Sequence, residues 1–122
     1  MTREPADLDY CYLTTTGRVS GRPHEIEIWF ALHDGVVYML SGGAARSDWV
    51  RNLIADSTVS IRLGEETRTT TAPVLTAGSE EDTIARRLLV EKYRTRYSGA
   101  LDEWGRTSLP VAVAWSAGRA AD

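Results

Sequence analysis

Two arginine-bearing loops carry most of the chemistry this sequence offers. The first, Gly17-Arg18-Val19-Ser20-Gly21-Arg22-Pro23, sets two guanidiniums and a hydroxyl between glycines. Guanidiniums bind phosphate or carboxylate through charge-assisted hydrogen bonds, and glycine lets a ligand approach the backbone closely. An exposed hairpin tip with solvated arginines would have the same composition, so this loop alone does not define a site. The second, Ser41-Gly42-Gly43-Ala44-Ala45-Arg46, leads into Ser47-Asp48-Trp49-Val50-Arg51-Asn52. Small residues running into a helix N-terminus leave unpaired N–H groups and a positive partial charge, which suit an anion. The bland alternative is a plain strand-to-helix connection with Ser47 as the N-cap. Finding two such loops in one short chain favours a phosphate-bearing ligand.

A third feature is the helical stripe Ala85-Leu89-Tyr93-Tyr97, spaced at i, i+4 on one face. Aromatics at this spacing usually pack a core. A phenol, however, pairs an apolar ring with a polar tip, so Tyr93 and Tyr97 are candidates to line a pocket mouth and to supply a proton. Other chemistries are excluded by spacing. Ile28 stands where a zinc-binding HExxH motif starting at His24 needs its second histidine, and His24 and His33 are the only histidines. No Walker loop, GxGxxG or GxSxG element is present. No metal site is expected. Phosphate-binding loops without a catalytic centre point to a borrowed redox reagent that the protein orients.

The elements that must position these loops read mainly as β-strands. Tyr10–Thr16 and His24–Leu32 flank the first loop, and Ile26, Ile28, Phe30 and Leu32 alternate onto one face of the second strand. Asp34-Gly35 marks a tight hairpin, because glycine accepts the positive φ of a type I′ turn. Val36–Leu40 returns as a third strand, and a short helix is expected at about Ser47–Ala55, with Trp49 and Leu53 inward and Val50 and Ile54 as further candidates. Thr58–Leu63 and Thr67–Leu75 form another pair, with Pro73 suited to an edge. The longest helix is expected from Ser79 to about Tyr97, capped by serine with acidic residues in its first turn. A loop holding Trp104 and Gly105 then leads to a last strand, Leu109–Trp115. The order βββαββαβ, six strands and two helices, argues for a closed or nearly closed antiparallel barrel over a parallel α/β sheet.

At 122 residues the chain fits one domain, taken as residues 9–118 behind a disordered lead-in at 1–8. A net charge of −3 leaves no global basic field for nucleic acid. No apolar run is long enough to span a bilayer and the N-terminus lacks a signal-peptide pattern, so a cytoplasmic location is expected. The single cysteine, Cys11, sits among apolar neighbours and reads as a buried thiol.

Leu13–Pro23, then Ser41-Gly42-Gly43, then Trp49-Val50-Arg51-Asn52-Leu53 together resemble the ordered signature of the deazaflavin-dependent nitroreductase family, within the FMN-binding split-barrel group. The similarity spans about residues 13–97. It implies a six-stranded split β-barrel that binds reduced coenzyme F420 and passes hydride to an electron-poor small molecule such as an enone, quinone or nitro compound. By the same resemblance, Arg18, Ser20, Arg22 and His24 would meet the coenzyme's phosphate and acidic tail. Ser41, Gly42, Gly43, Trp49 and Asn52 would cradle its ring and ribityl chain, and Tyr93 and Tyr97 would line the substrate pocket. Two positions depart from the family pattern. His24 replaces an arginine after the hairpin proline, and Ser41 abuts Gly42 with no intervening lysine, leaving Arg46 as the compensating cation. FMN in place of F420, a non-catalytic coenzyme carrier, and a homodimer stay open.

Overall fold

The computed structural model describes residues 7–76, 78–96 and 101–115. Among these residues, seven strands lie in two sheets. Strands β1 (Cys11–Thr16), β2 (Pro23–Ile28), β5 (Thr58–Leu63) and β6 (Glu66–Thr71) form one, in the order β2-β1-β5-β6. Strands β3 (Ala31–His33), β4 (Val36–Ser41) and β7 (Leu109–Ala114) form the other, in the order β3-β4-β7. All pairings are antiparallel. The described residues also form three helices, α1 (Asp48–Ala55), α2 (Glu80–Arg94) and α3 (Asp102–Thr107), and a 3-10 turn at Ala44–Arg46.

The expected six strands become seven because the second one breaks at Trp29-Phe30, where the chain leaves the first sheet and enters the second. Its side-chain alternation survives the break. Ile26, Ile28, Phe30 and Leu32 all pack on the same inner core, while Trp29 and Ala31 face the helices. The bend is held by two residues of α2. The Phe30 N–H donates to the Tyr93 hydroxyl at 3.0 Å, and Lys92 Nζ donates to the Phe30 carbonyl at 2.9 Å while lying 3.7 Å from the centre of its ring. A second connection follows β6, where Leu75 N–H donates to Pro110 and Ala112 N–H donates to Pro73. Pro73 gives only a carbonyl to this contact, which is why it is tolerated at a sheet edge.

The two sheets enclose an inner core of Cys11, Leu13, Phe30, Met39, Ile61, Val111 and their neighbours. A second core lies between the outer face of β4 and helix α2, with Tyr38, Leu40, Ala85, Leu89 and Tyr93. Strand β4 is buried along its whole length because both of its faces are covered. The hairpin at Asp34-Gly35 has φ of 52° and 76°, as a type I′ turn requires. Ser79 caps α2 by accepting from Asp82 N–H at 3.1 Å, a contact worth about 1 kcal/mol.

Several expectations shift at the edges. Helix α2 ends at Arg94, and Tyr97 lies outside the described residues. Trp104 and Gly105 belong to a third helix instead of a loop. Val50 and Leu53 are buried, whereas Ile54 is 62% exposed and belongs to the outer face of α1. Residues 1–6 of the expected lead-in lie outside the described residues, while the Asp7 carbonyl accepts from Arg96 and Leu8 packs on the inner core. Just beyond it, Asp9 pairs with Arg96 and its carbonyl accepts from the Tyr93 hydroxyl. Cys11 is fully buried, and burial pushes its thiol up to about 12, which leaves it unreactive.

Candidate functional site

A groove of about 660 Å³ opens between the β1–β2 hairpin and helix α1. Its formation follows from the hairpin's own geometry. Gly17 N–H donates to the Arg22 carbonyl and Gly21 N–H to the Gly17 carbonyl, both at 2.8 Å, and Gly21 takes φ of 72°. The tip therefore folds over as a compact turn. Gly17 has no room for a side chain, since a Cβ there would lie 2.7 Å from both His24 Nε2 and Ser20 Oγ. That close packing seats the imidazole and the hydroxyl on the groove wall.

The turn is latched to α1 through Asn52, which is only 4% exposed. Asn52 Oδ1 accepts from the backbone N–H of Arg18 at 3.2 Å and from its guanidinium at 2.8 Å, and Asn52 Nδ2 donates to Thr15 Oγ1 at 3.2 Å. Both the oxygen and the nitrogen of the amide are engaged, as expected of a buried polar group. Arg18 reaches on to Asp48, whose carboxylate lies 3.2 Å from Nη2. Ser20 Oγ accepts from Arg22 N–H, so its own proton is available to a ligand. Trp49, half-buried beside the groove, adds a flat apolar wall.

Of the expected coenzyme residues, Arg18, Ser20, His24, Trp49 and Asn52 come together on this groove. Arg22 is exposed and does not line it. The second loop plays a more indirect part than expected. Ser41 is buried and its hydroxyl donates to the Ala44 carbonyl at 2.9 Å, while lying 2.7 Å from Ser47 Oγ. Ser47 holds the N-cap position of α1 but makes no side-chain cap bond, because its hydroxyl is engaged with Ser41. Gly42, Gly43 and Arg46 are exposed and lie outside the groove lining. Ala44 adopts φ of 52°, a conformation costing a non-glycine residue roughly 1–2 kcal/mol, so this loop is held in place by its serines.

Tyr93 is not at a pocket lip. It is 2% exposed, its ring stacks on Trp29 with centroids 4.2 Å apart, and its hydroxyl serves the Phe30 and Asp9 backbone. The core reading of the stripe therefore holds for Ala85, Leu89 and Tyr93, and a substrate-wall role for Tyr93 is corrected. Burial pushes its phenol above the usual range, consistent with a permanently neutral hydroxyl.

Among the residues that line the groove, Thr15 and Asp48 were not expected there. Thr15 was hidden in a strand that read as generic. Asp48 had a signal available: it precedes Asn52 by four residues, one helical turn, and so shares its face. Among the described residues no cluster of histidine, cysteine and carboxylate is arranged to hold a metal.

The model of the F420H2-dependent quinone reductase family matches residues 3–116. Comparison with curated proteins gives no match. Among solved structures, an F420-H2 dependent reductase (FDR-A) aligns with a TM-score of 0.70 and 25% identity, over 86% of this chain and 93% of that one. A structure described as a domain-swapped dimer has the same TM-score of 0.70 and 25% identity, over 86% of this chain and 79% of that one. The heme storage protein HutZ from Vibrio cholerae aligns with a TM-score of 0.71 at 17% identity, over 88% and 82% of the two chains, a likeness of fold alone.

Proposed function

The chain belongs to the F420H2-dependent quinone reductase family and is an F420H2-dependent reductase, and we propose that it holds the coenzyme in the hairpin–α1 groove and reduces an electron-poor small molecule there. The observation that carries the placement is the Arg18–Asn52–Thr15 latch, which fixes a guanidinium at the mouth of a groove large enough for the ligand. Ligand pockets run from roughly 300 to 1,000 Å³, and this groove falls inside that range.

The residues present fit a planar ring joined to a phosphate. Arg18 and the Ser20 hydroxyl supply donors for the phosphate. His24 adds a polar face, and Trp49 offers a surface against which a flat ring can lie. Bound there, the reduced deazaflavin supplies a hydride. The protein's contribution is positional: Asn52 fixes the loop, Trp49 limits ring orientation, and the groove admits the acceptor to one side. Holding two reactants at near-attack distance removes much of the entropic cost of a bimolecular step. With Tyr93 engaged in the core, solvent at the open groove is the proposed proton source. We further take the two sheets to form a split barrel, the chain to act in the cytoplasm, and a quinone, enone or nitro compound to be the acceptor. A homodimer is consistent with the domain-swapped neighbour.

An anaerobic titration of the protein with reduced F420, in parallel with FMN, tests the coenzyme site. Binding of F420 that weakens roughly ten- to hundredfold in Arg18→Ala is expected, the worth of a charge-assisted hydrogen bond. Unchanged affinity in that variant, with the fold intact, would place the coenzyme elsewhere. Turnover of a quinone panel by the loaded protein separates a reductase from a carrier.

A further inference from the structure

The groove's charges do not favour a polyanion. On the wall shared with α1 the charge of Arg18 is offset by that of Asp48, so with His24 counted as neutral the groove carries no net positive charge. Asp48 also touches the one guanidinium on the wall: its carboxylate lies 3.2 Å from Arg18 Nη2, and its side chain is 86% exposed while that of Arg18 is 32% exposed. An incoming phosphate would seek the same guanidinium face. It must share Arg18 with Asp48 or displace it, and two anions held at one guanidinium repel each other. Arg22 and Arg46, the other cations of the two loops, stand outside the lining.

On this basis, and resting on the coenzyme placement above, we propose that Asp48 is a specificity-determining residue. It acts as an internal competitor for Arg18, and it tunes the groove toward a ligand bearing one phosphate and away from one bearing a long run of carboxylates. The hairpin binds the phosphate end by geometry more than by net charge. Each further glutamate on a coenzyme tail meets a groove with no net positive charge to receive it. Affinity should therefore be indifferent to tail length, or fall slightly with it, where a basic groove would gain with every added carboxylate.

The test uses the full chain, wild type and Asp48→Asn, titrated by fluorescence with F420 forms of short and long glutamate tails and with the phosphate-free deazaflavin nucleoside. Asp48 is exposed, so the variant is expected to keep the fold, which a melting curve without ligand verifies. For the wild type, dissociation constants for short- and long-tailed forms should agree within about twofold. In Asp48→Asn, binding of the phosphate-bearing forms should tighten by roughly two- to fivefold, the worth of an exposed ion pair, with the nucleoside unaffected. Inorganic phosphate, followed by chemical-shift changes at the Arg18 guanidinium, gives a reading independent of the coenzyme, and Asp48→Asn should bind it more tightly. Unchanged or weaker phosphate binding in the variant would overturn the proposal, as would a wild-type affinity that climbs with tail length. Stronger phosphate binding by the variant, with no deazaflavin bound by either protein, would instead keep Asp48 as a competitor for Arg18 and remove the coenzyme reading.

Discussion

Replacing Tyr93 with phenylalanine separates a structural hydroxyl from a catalytic one. The hydroxyl accepts from Phe30 N–H at 3.0 Å and lies 2.7 Å from the Asp9 carbonyl and 3.1 Å from that of Phe30. A phenol has one proton to give. Lys92 already serves the Phe30 carbonyl at 2.9 Å, so the proton belongs to the shorter contact with Asp9. In Tyr93→Phe the Asp9 carbonyl, on an exposed residue, can recruit water, whereas the Phe30 N–H sits on a residue with no exposure. One buried donor is left without a partner, at about 1–3 kcal/mol. The stack on Trp29 survives because the ring survives. Tyr93→Ala loses both and should cost about 3–5 kcal/mol. Urea unfolding followed by tryptophan fluorescence measures this. With a slope of roughly 2 kcal/mol per molar urea, Tyr93→Phe should move the midpoint down by about 0.5–1.5 M. Turnover per folded molecule should stay within a few-fold of wild type. An unchanged midpoint joined to a rate loss of about 10²-fold or more would refute the argument and restore the hydroxyl as a proton donor.

Asn52→Leu keeps the volume but strands the Arg18 N–H and loosens the hairpin latch, so amide hydrogen exchange at residues 17–22 should accelerate at least tenfold and coenzyme affinity should fall; unchanged exchange there would remove Asn52 from its proposed role. Lys92 gives a pH signature. Burial, and then the neighbouring Arg96, pull its ammonium down to about 8 from an ordinary 10.5, against the attraction of Asp9. A depressed folded value means that the unfolded chain binds more protons between about 8 and 10.5. Stability from this group should therefore rise with pH across that window and be lost as pH falls through 8. The wild-type-minus-variant difference in melting temperature for Lys92→Met should therefore rise with pH over that range, and a parallel pair of curves would contradict the assignment.

The parts of this fold that were legible in the sequence are those where one local signal decides the outcome. Period-two alternation marked Ile26, Ile28, Phe30 and Leu32 as one inner face, and it held even across the bend. Asp34-Gly35 specified its turn through backbone sterics, and Ser79 specified its cap through a short-range hydrogen bond. The break at Trp29-Phe30 was not legible, because its cause lies more than sixty residues away in Lys92 and Tyr93, which replace ladder partners at the corner. The same distance effect misassigned the tyrosine: spacing placed Tyr93 on a stripe but could not say what its hydroxyl would meet. In the site, residue types singled out Arg18 and Ser20, and the family resemblance added His24, Trp49 and Asn52; all five line the groove. Neither could show that Ser41 and the glycine pair would form a supporting loop outside the groove lining.

Helix α1 explains how so small a fold can keep an open groove in order. An exposed cleft takes apolar contacts away from the core, and a hairpin tip alone would sample many conformations. Here one short helix faces both ways. Val50 and Leu53 are buried to 1% exposure or less and anchor it, while Asp48, Trp49 and Asn52 project along the groove. Because these positions alternate around a single rigid turn, the core that fixes Leu53 also fixes Asn52. The Asn52 amide then transmits that order to the hairpin through three hydrogen bonds. The Ser41–Ser47 contact holds the other end of α1 against the loop that precedes it. Preorganisation of this kind lowers the ordering cost of binding, so a groove with little favourable net charge can still hold a large ligand. It also accounts for the division of labour seen between the two arginine loops: the first presents its donors to the groove, and the second sets the angle of the helix that holds the first in place.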